Sequence, residues 1–281
     1  MLASKLILEK TKILGDGWGF VFRTLKDNLL VLSTNKELSD SFDGSFKRKI
    51  GVSLSTGCGV GCIYCFTNGL SFFRPLSVEE IVEQVDNVLR VIPEEEVFDE
   101  IKVSFKQMGD PLLNPDNTIE AIRLLHQKFQ NFSFVVSTSA PNINRYFFDK
   151  LQQLQDLGLD IRLQYSCHTT SDAERQSLSP KLPMMTLEEI SQVANNWRGN
   201  LVTLNFVLFK GFSYSVSELR KLFDPSKVFI KVNYLDDNCQ LRKNNLSDLD
   251  KADVKEFVQS LSDVGFNFSF RNNQNVLIEG R

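Results

Sequence analysis

The residues with the most distinctive chemistry are three cysteines, Cys58, Cys62 and Cys65, at the spacing C-x3-C-x2-C. They lie in a glycine-rich segment, residues 55–65, called here the cysteine loop, which lets three thiolates converge on one soft metal centre. Structural zinc takes four ligands, whereas a [4Fe–4S] cluster held by three thiolates leaves one iron open to an outside ligand. The side chains that would complete a zinc site lie far downstream: Cys167, His168 and Cys239. The spacing favours the cluster, with a structural zinc site as the alternative.

Strands that alternate with helices must position this loop, which directly follows the first of six predicted strands. The strands are predicted over 50–55, 100–106, 133–137, 160–166, 201–208 and 229–235. Helices are predicted over 78–91, 118–129, 144–154, 187–197, 216–223 and 252–264. Six βα units in succession imply parallel strands with right-handed crossovers. Six strands are too few for a closed eight-stranded barrel, so we expect an α/β fold with a partial (β/α)6 barrel.

Two of the predicted helices carry strong start signals. Ser77 and Glu80 form one capping box, and Thr186 and Glu189 form another. In each box the hydroxyl and the carboxylate satisfy each other's backbone amides, which fixes the helix start locally.

The first fifty residues show a different pattern of predicted secondary structure. Short runs over 6–14, 19–25 and 29–33 predict an antiparallel meander with turns at 15–17 and 27–28. A polar loop is expected over 35–46. We therefore expect residues 1–48 to form an N-terminal β-extension and residues 49–281 to form the partial barrel.

Composition narrows the class of protein. The chain of 281 residues is 42% hydrophobic and 24% charged, with 32 Lys and Arg against 35 Asp and Glu. A net charge of −3 argues against a protein that coats nucleic acid. No apolar stretch is long enough for a membrane span, and the first residues lack a signal-peptide pattern. We expect a cytoplasmic protein with reduced thiols and no membrane partner.

Polar residues follow three of the later strands, at the end where ligands of α/β folds bind. Gly109 and Asp110 follow the second strand, and the anionic Asp110 is suited to a cationic group. The third and fourth strands are followed by hydroxyls and an imidazole: Ser137, Thr138, Ser166 and His168. Each also has an ordinary structural role available, in a turn, a helix cap or a strand end.

The cysteine loop, with the aromatic Tyr64 before the third cysteine, is similar to that of the radical S-adenosylmethionine (SAM) superfamily. Residues 55–77 and the motif Met-Gly-Asp-Pro-Leu-Leu-Asn at 108–114 narrow the resemblance to the RlmN/Cfr family, which methylates adenine in RNA. Shorter segments at 137–140, 165–168 and 233–238 also resemble that family, so the likeness covers nearly the whole chain.

The resemblance implies a [4Fe–4S] cluster on Cys58, Cys62 and Cys65, with SAM bound at the open iron. It implies SAM contacts from nine residues: Tyr64, Met108, Gly109, Asp110, Ser137, Thr138, Ser166, His168 and Asn238. It also implies an electron donor such as flavodoxin or ferredoxin, and cleavage of SAM to a 5′-deoxyadenosyl radical that abstracts hydrogen from a substrate.

The chain also departs from the RlmN/Cfr pattern. That family methylates through two further thiols, but Gly51 stands at the position of the first, and the residues from 270 onward contain no cysteine. Only 57 residues precede Cys58, so we expect no N-terminal RNA-contacting domain. Cys167 and Cys239 are available as substitutes, although Cys167 is better suited to a buried structural role.

We therefore predict a radical SAM enzyme whose substrate is a small molecule or a nucleotide, with RNA disfavoured. One alternative is an RlmN/Cfr-like RNA adenine methyltransferase that uses other thiols. The alternative from another class is a non-catalytic module that binds a structural metal.

Overall fold

A computed structural model of the chain describes residues 4–14, 17–39, 46–70, 74–91, 98–129, 131–235, 238–271 and 277–280. The chain divides into two units. The first contains Met1–Gly59, Ser71–Ser137 and Asn144–Ile161, and the second contains Val60–Leu70, Thr138–Ile143 and Arg162–Arg281. Among the described residues, no helix has the length and apolar character that crossing a membrane would require.

The strands of the first unit follow chain order. They are β1 (Leu6–Leu14), β2 (Gly17–Thr24), β3 (Leu30–Ser39), β4 (Phe46–Val52), β5 (Glu100–Phe105) and β6 (Phe132–Thr138). Strands β1, β2 and β3 pair antiparallel, as the meander predicts, and β4 also pairs antiparallel with β3. Strands β4, β5 and β6 pair parallel. The helices of this unit are α1 (Val78–Val91), α2 (Pro115–Lys128) and α3 (Tyr146–Asp156).

One prediction for this unit is wrong. The polar loop is expected over 35–46, but residues 35–39 and 46 of it are strand, because β3 continues to Ser39 and β4 begins at Phe46. These residues continue the antiparallel pairing of β3 with β4, for example with Lys36 opposite Lys49 in the register. Residues 40–45 of that loop, and residues 15 and 16 of the predicted first turn, lie outside the described residues.

The second unit continues the alternation of strands and helices. Its strands are β7 (Ile161–Ser166), β8 (Val202–Val207), β9 (Val228–Asn233), β10 (Asn267–Arg271) and β11 (Leu277–Gly280). Its helices are α4 (Asp172–Leu178), α5 (Leu187–Asn196), α6 (Val216–Leu222), α7 (Cys239–Lys243) and α8 (Lys251–Asp263). The pairs β7–β8, β8–β9 and β9–β10 are parallel, and β11 pairs antiparallel with β10.

Four elements of the second unit were not predicted: α4, α7, β10 and β11. Helices α4 and α7 have 7 and 5 residues, too few to display a helical period in the sequence. Both predicted capping boxes are present: Ser77 and Glu80 exchange hydrogen bonds at the start of α1, as do Thr186 and Glu189 at α5. Local start signals are therefore reliable here, while short elements depend on their tertiary neighbours.

Strand β5 shows how the sheet of the first unit is divided between two faces. Ile101, Val103 and Phe105 are buried on one face, whereas Glu100 and Lys102 are half-buried on the other. Side chains alternate along a strand, so the apolar residues share one face, which contributes to the core, and the polar residues, with the buried Ser104, share the other.

Candidate cofactor site

The cysteine loop begins after β4, where hydrogen bonds of the first unit fix the backbone. The Gln84 side chain of α1 accepts from the Ser53 amide at 2.9 Å and donates to the Ser53 carbonyl at 3.0 Å. The Met108 carbonyl accepts from the amides of Leu54 at 2.7 Å and Ser55 at 3.2 Å. These bonds set the path of the chain into the cysteine loop. They also occupy the backbone carbonyl of Met108, a predicted SAM contact.

Gly109 and Asp110 form the turn after β5. Gly109 has a φ of +92°, and an added Cβ would stand 2.2 Å from the Ser55 Oγ, so only glycine fits. Asp110 is buried, and its Oδ1 accepts from the Leu112 amide at 3.0 Å, capping the 3₁₀ turn Pro111–Leu113. The carboxylate therefore has a structural role in the turn. Its contact to the SAM ammonium stays a prediction.

In the second unit, Cys62 is buried beside two hydroxyls. Its Sγ lies 3.1 Å from the Ser179 Oγ and 3.7 Å from the Ser139 Oγ. Burial raises the pKa of the Cys62 thiol, and the hydrogen bond from Ser179 acts in the opposite direction. A thiolate at this buried position needs a cationic partner, and iron in a cluster is such a partner.

An aromatic group follows Cys62. The Tyr64 ring meets His168 edge-on, with centroids 4.8 Å apart, and lies 5.6 Å from the Phe209 ring. Burial, with a smaller contribution from Arg175, lowers the pKa of His168 to about 3. The His168 Nδ1 accepts from the Val207 amide at 3.1 Å. The imidazole is therefore neutral at pH 7, with its proton on Nε2, where it serves as a hydrogen-bond donor.

Two asparagines near α7 hold the backbone of the cysteine loop. Asn238 Nδ2 donates to the Tyr64 carbonyl at 3.3 Å, and Asn244 Nδ2 donates to the Ile63 carbonyl at 2.8 Å. The Ile63 amide donates to the Leu178 carbonyl at 2.9 Å. Asn238, predicted as an adenosyl contact, is thus also a residue that positions Tyr64.

The other predicted residues are distributed over both units. The first unit holds Cys58, Met108, Gly109, Asp110 and Ser137, and the second holds Cys62, Tyr64, Cys65, Thr138, Ser166, His168 and Asn238. Seven of them are half-buried: Cys58, Tyr64, Cys65, Gly109, Ser137, Ser166 and Asn238. Thr138 is buried, and its Oγ1 accepts from the Ala140 amide at 2.8 Å. Within the second unit, Tyr64 contacts two other predicted residues, His168 and Asn238.

Sequence reasoning missed Ser179 and Arg175, and it did not predict that Ser139 lies beside Cys62. Ser139 and Ser179 contact the thiol, and Arg175 is buried with its Nη2 donating to the Ser139 carbonyl at 3.1 Å. Ser139 lies in the segment 137–140 that the sequence singles out. Ser179 and Arg175 carry no such signal, because α4 brings them to Cys62 from far along the chain.

All five cysteines are free thiols, which suits metal binding. Cys167 is buried, as predicted, and burial raises its pKa to about 11, whereas Cys239 is exposed. Within the described part of the chain, no three His, Cys, Asp or Glu side chains are grouped so as to hold a single metal ion. The donor set itself fits a cluster: it consists of thiols, one of which is desolvated, accepts a hydrogen bond from Ser179 and lies near the Ser139 hydroxyl.

Comparison with known proteins gives consistent matches. The family model described as "Radical SAM superfamily" matches residues 52–223. A relative from Thermotoga sp. (strain RQ2), named "Probable dual-specificity RNA methyltransferase RlmN", is 33% identical over 189 residues, 64% of this chain and 53% of the relative. A protein of the same name from Chlorobium phaeobacteroides (strain DSM 266 / SMG 266 / 2430) is 29% identical over 276 residues, covering 92% of this chain and 72% of the relative. The chain spans about half the length of the Thermotoga relative.

A solved structure shares the fold. The crystal structure of a radical SAM methyltransferase from Sphaerobacter thermophilus matches with a TM-score of 0.73 at 23% identity. The match covers 95% of this chain and 77% of that one. The likeness confirms the predicted α/β class with a partial barrel.

Proposed function

Because the chain belongs to the radical SAM superfamily, we propose that it cleaves SAM reductively and uses the resulting 5′-deoxyadenosyl radical to abstract hydrogen from a small-molecule or nucleotide substrate. Enzymes of this superfamily use a [4Fe–4S] cluster and SAM as cofactors. When bound, the cluster supplies the electron that breaks a carbon–sulfur bond of SAM, and the protein supplies binding and orientation. An external reductant such as flavodoxin or ferredoxin delivers that electron.

The observation that carries the proposal is the setting of Cys62. Its thiol is buried and has Ser179 and Ser139 as hydrogen-bond partners, and it belongs to a C-x3-C-x2-C set with Cys58 and Cys65. Hydrogen bonds to a ligand sulfur stabilise the thiolate and tune the metal centre. These three cysteines would hold the cluster.

Other residues of the chain would position SAM and exclude water. Asn238 and Asn244 hold the loop carbonyls, and the neutral His168 supports the Tyr64 ring while its Nε2 proton remains a donor. Glycine at 109 allows the backbone to approach Ser55 closely. The negative Asp110 attracts the ammonium group of SAM.

Anaerobic reconstitution with iron and sulfide tests the proposal. We expect four irons per chain and release of 5′-deoxyadenosine when dithionite and SAM are added. Cys62→Ala is expected to abolish both, whereas Cys239→Ala, an exposed thiol outside the loop, serves as the matched control and keeps both. A single zinc per chain with no response to SAM would instead support the non-catalytic metal module.

RNA methylation is the second candidate, favoured by the names of the Thermotoga and Chlorobium relatives. Position 51 weighs against it. In the RlmN/Cfr pattern a thiol stands there, but this chain has Gly51, and a Cβ added to it would meet Gln107 Nε2 at 2.3 Å and Thr34 Oγ1 at 2.5 Å. The side chains of Gln107 and Thr34, which are joined by a hydrogen bond, fill the space beside the Gly51 backbone.

Methyl-labelled SAM distinguishes the two candidates. After incubation with dithionite and added RNA, we expect no label in the protein or the RNA, beside accumulating 5′-deoxyadenosine. Methyladenosine in the RNA, or label on Cys167 or Cys239, would support the methyltransferase and contradict the first proposal.

A further inference from the structure

Arg175 of α4 is a cation buried in the second unit. Only 3% of it is exposed, its Nη2 donates to the Ser139 carbonyl at 3.1 Å, and its Nη1 donates to the Met185 carbonyl. Its Nε–H has no hydrogen-bond partner among the residues that the structure describes. A buried charge is costly unless an opposite charge lies close to it, so an anion is expected near this guanidinium.

The chain compensates this charge only in part. In the described part of the chain, the ion pair of Arg175 is with Asp172, whose carboxylate lies 3.9 Å from the Arg175 Nη1. The Asp172 side chain is 49% exposed, and its Oδ1 also accepts from the Leu187 amide at 2.7 Å. Water screens an exposed carboxylate, so a pair at this distance offsets little of the cost of burying the guanidinium. The two carbonyls that Arg175 contacts are dipoles without net charge.

Arg175 is bonded to both residues beside the Cys62 thiol. Ser139, whose carbonyl accepts from the guanidinium, has its Oγ 3.7 Å from the Cys62 Sγ. Ser179 donates its amide to the Arg175 carbonyl at 3.2 Å and its hydroxyl to the same sulfur at 3.1 Å. The buried cation is therefore next to the two residues that contact this predicted cluster ligand.

The charge of Arg175 also acts on side chains around the cysteine loop. Burial raises the pKa of Cys167 to about 11 and the pKa of Tyr64 well above its ordinary value, and Arg175 opposes burial in both cases. Burial lowers the pKa of His168 to about 3, and Arg175 acts in the same direction. One cation thus favours negative charge throughout these surroundings.

We propose that Arg175 is the counter-charge of the [4Fe–4S] cluster and that its guanidinium stabilises the reduced cluster, which sets the reduction potential. This inference rests on the proposed radical SAM function and gives it a residue that acts on the cluster without ligating it. A cluster held by three thiolates is a net anion, and it becomes more negative when an external reductant adds one electron. A fixed positive charge in a poorly solvated environment favours the more negative state, which is the reduced one.

The carboxylate of SAM is the other anion of the proposed reaction. SAM also has a sulfonium and an ammonium group, so its net charge is positive, whereas the cluster is a net anion in both oxidation states. The charge of Arg175 therefore favours the cluster as its partner.

Redox titration of the reconstituted protein, followed by electron paramagnetic resonance, tests the assignment. Arg175→Gln keeps an amide donor and removes the charge, whereas Arg175→Lys keeps the charge and loses the planar fork of donors. At a fixed potential, we expect Arg175→Gln to lower the ratio of reduced to oxidised cluster by about tenfold or more, equivalent to about 59 mV for a one-electron couple. Arg175→Lys should stay near the wild-type ratio. Arg220→Gln, which removes an exposed cation from α6, is the matched control and should leave the ratio unchanged.

The two variants of Arg175 separate charge from structure. If Arg175 acted only by holding the carbonyls of Ser139 and Met185, Arg175→Gln and Arg175→Lys would change the ratio alike. That result, or a wild-type ratio in Arg175→Gln, would overturn the proposal.

Asp172→Asn decides the question if Arg175→Gln assembles no cluster. Asparagine keeps an oxygen for the Leu187 amide and lacks the negative charge that faces the guanidinium, so the potential should rise. An unchanged or lower potential in this variant would overturn the proposal.

Calorimetric titration with SAM tests the other anion. Arg175→Gln should bind SAM with the affinity of the wild type. A loss of SAM affinity with an unchanged potential would assign the cation to the SAM carboxylate and overturn its assignment to the cluster.

SAM cleavage, measured on the same preparations, separates this inference from the proposed function. Cleavage by the wild type, with equal potentials in the wild type and Arg175→Gln, overturns the role of Arg175 alone. A potential that depends on Arg175, with no cleavage of SAM, overturns the proposed function alone. A wild-type protein that holds zinc and no cluster overturns both.

Discussion

At the scale of single residues, the surroundings of Cys62 matter most, because a desolvated thiolate depends on the donors beside it. Ser179 and Ser139 provide hydroxyls, and Arg175 fixes the Ser139 backbone from within the core. These three residues set the electrostatic environment of one predicted cluster ligand without being ligands themselves.

Ser179→Ala should therefore change the cluster's potential and not its assembly. Loss of a hydrogen bond worth about 1 kcal/mol to the reduced state corresponds to about 40 mV for a one-electron couple, and the potential should fall. Redox titration followed by electron paramagnetic resonance measures it. Ser177→Ala, which removes an exposed hydroxyl from the same helix, is the control. Equal potentials in the two variants would contradict the role of Ser179.

Asp110 combines a structural and a predicted ligand-binding role, and two substitutions separate them. Asp110→Asn keeps an oxygen for the Leu112 amide but removes the charge, so the turn should remain while SAM affinity falls by roughly 1.5 to 3 kcal/mol. Asp110→Ala should lose both the hydrogen bond to the Leu112 amide and the attraction to SAM. Calorimetry of SAM binding and urea unfolding measure the two effects. Unchanged SAM affinity in Asp110→Asn would make Asp110 a turn residue only.

His168 makes stability depend on pH. Its folded pKa of about 3 lies below the ordinary value of 6.5, so between these values the unfolded chain binds a proton that the native chain does not. The stabilisation is complete above pH 6.5 and is lost as pH falls towards 3.

The variant His168→Asn tests this pH dependence, because asparagine keeps an acceptor and tolerates the φ of +62°. Between pH 6 and pH 4, urea unfolding should show the wild type losing about 1.4 kcal/mol per pH unit more than this variant. Parallel curves would contradict the buried neutral imidazole.

At the scale of elements, the short helix α7 is an anchor for the cysteine loop. Asn238 accepts from the amides of Gln240 and Leu241 at its start and donates to the Tyr64 carbonyl. Asn244, after its end, donates to the Ile63 carbonyl. The loop is therefore held by side chains of an element that lies far away in the sequence.

Asn238→Asp separates the cap from the anchor, because aspartate still accepts from the helix amides but has no amide donor for Tyr64. We expect Asn238→Ala to lower the free energy of unfolding by about 1 kcal/mol, and Asn238→Asp to change it much less. Both should lose cluster iron to a chelator faster than the wild type. If Asn238→Asp lost iron at the wild-type rate, the bond to Tyr64 would have no role in holding the loop.

At the scale of the whole molecule, the chain has a cysteine loop with the spacing of the radical SAM superfamily. The surroundings of Gly51, however, differ from the RlmN/Cfr pattern. The Gln107 side chain donates to Thr34 at 2.7 Å beside Gly51, where the family pattern has a thiol. The surroundings of position 51 therefore differ from the RlmN/Cfr pattern, while the three-cysteine spacing is the same.

Gly51→Cys tests whether the side chains beside position 51 leave room only for glycine. The new side chain would displace Gln107 and crowd Thr34, and overpacking of this kind costs about 1 to 3 kcal/mol of unfolding free energy. Adding Gln107→Ala should recover part of the loss, which urea unfolding of the single and double variants measures. A Gly51→Cys protein as stable as the wild type would show that the space is open.

The sequence by itself determined the features that depend on neighbouring residues. The spacing of Cys58, Cys62 and Cys65 predicted the cofactor class, and the capping boxes at Ser77 and Thr186 located two helix starts, because both signals lie within a few residues of one another. The alternation of strands and helices likewise predicted the α/β class.

Only the tertiary structure decided which distant groups meet. Ser179 beside Cys62, Asn244 on the Ile63 carbonyl and the extension of β3 through Lys36 all depend on contacts between segments far apart in the chain. Lys36, Lys49 and Lys102 are likewise unremarkable in sequence and become neighbours only through strand register. Register is set by the packing of a strand's apolar face against the core, and no local pattern encodes it.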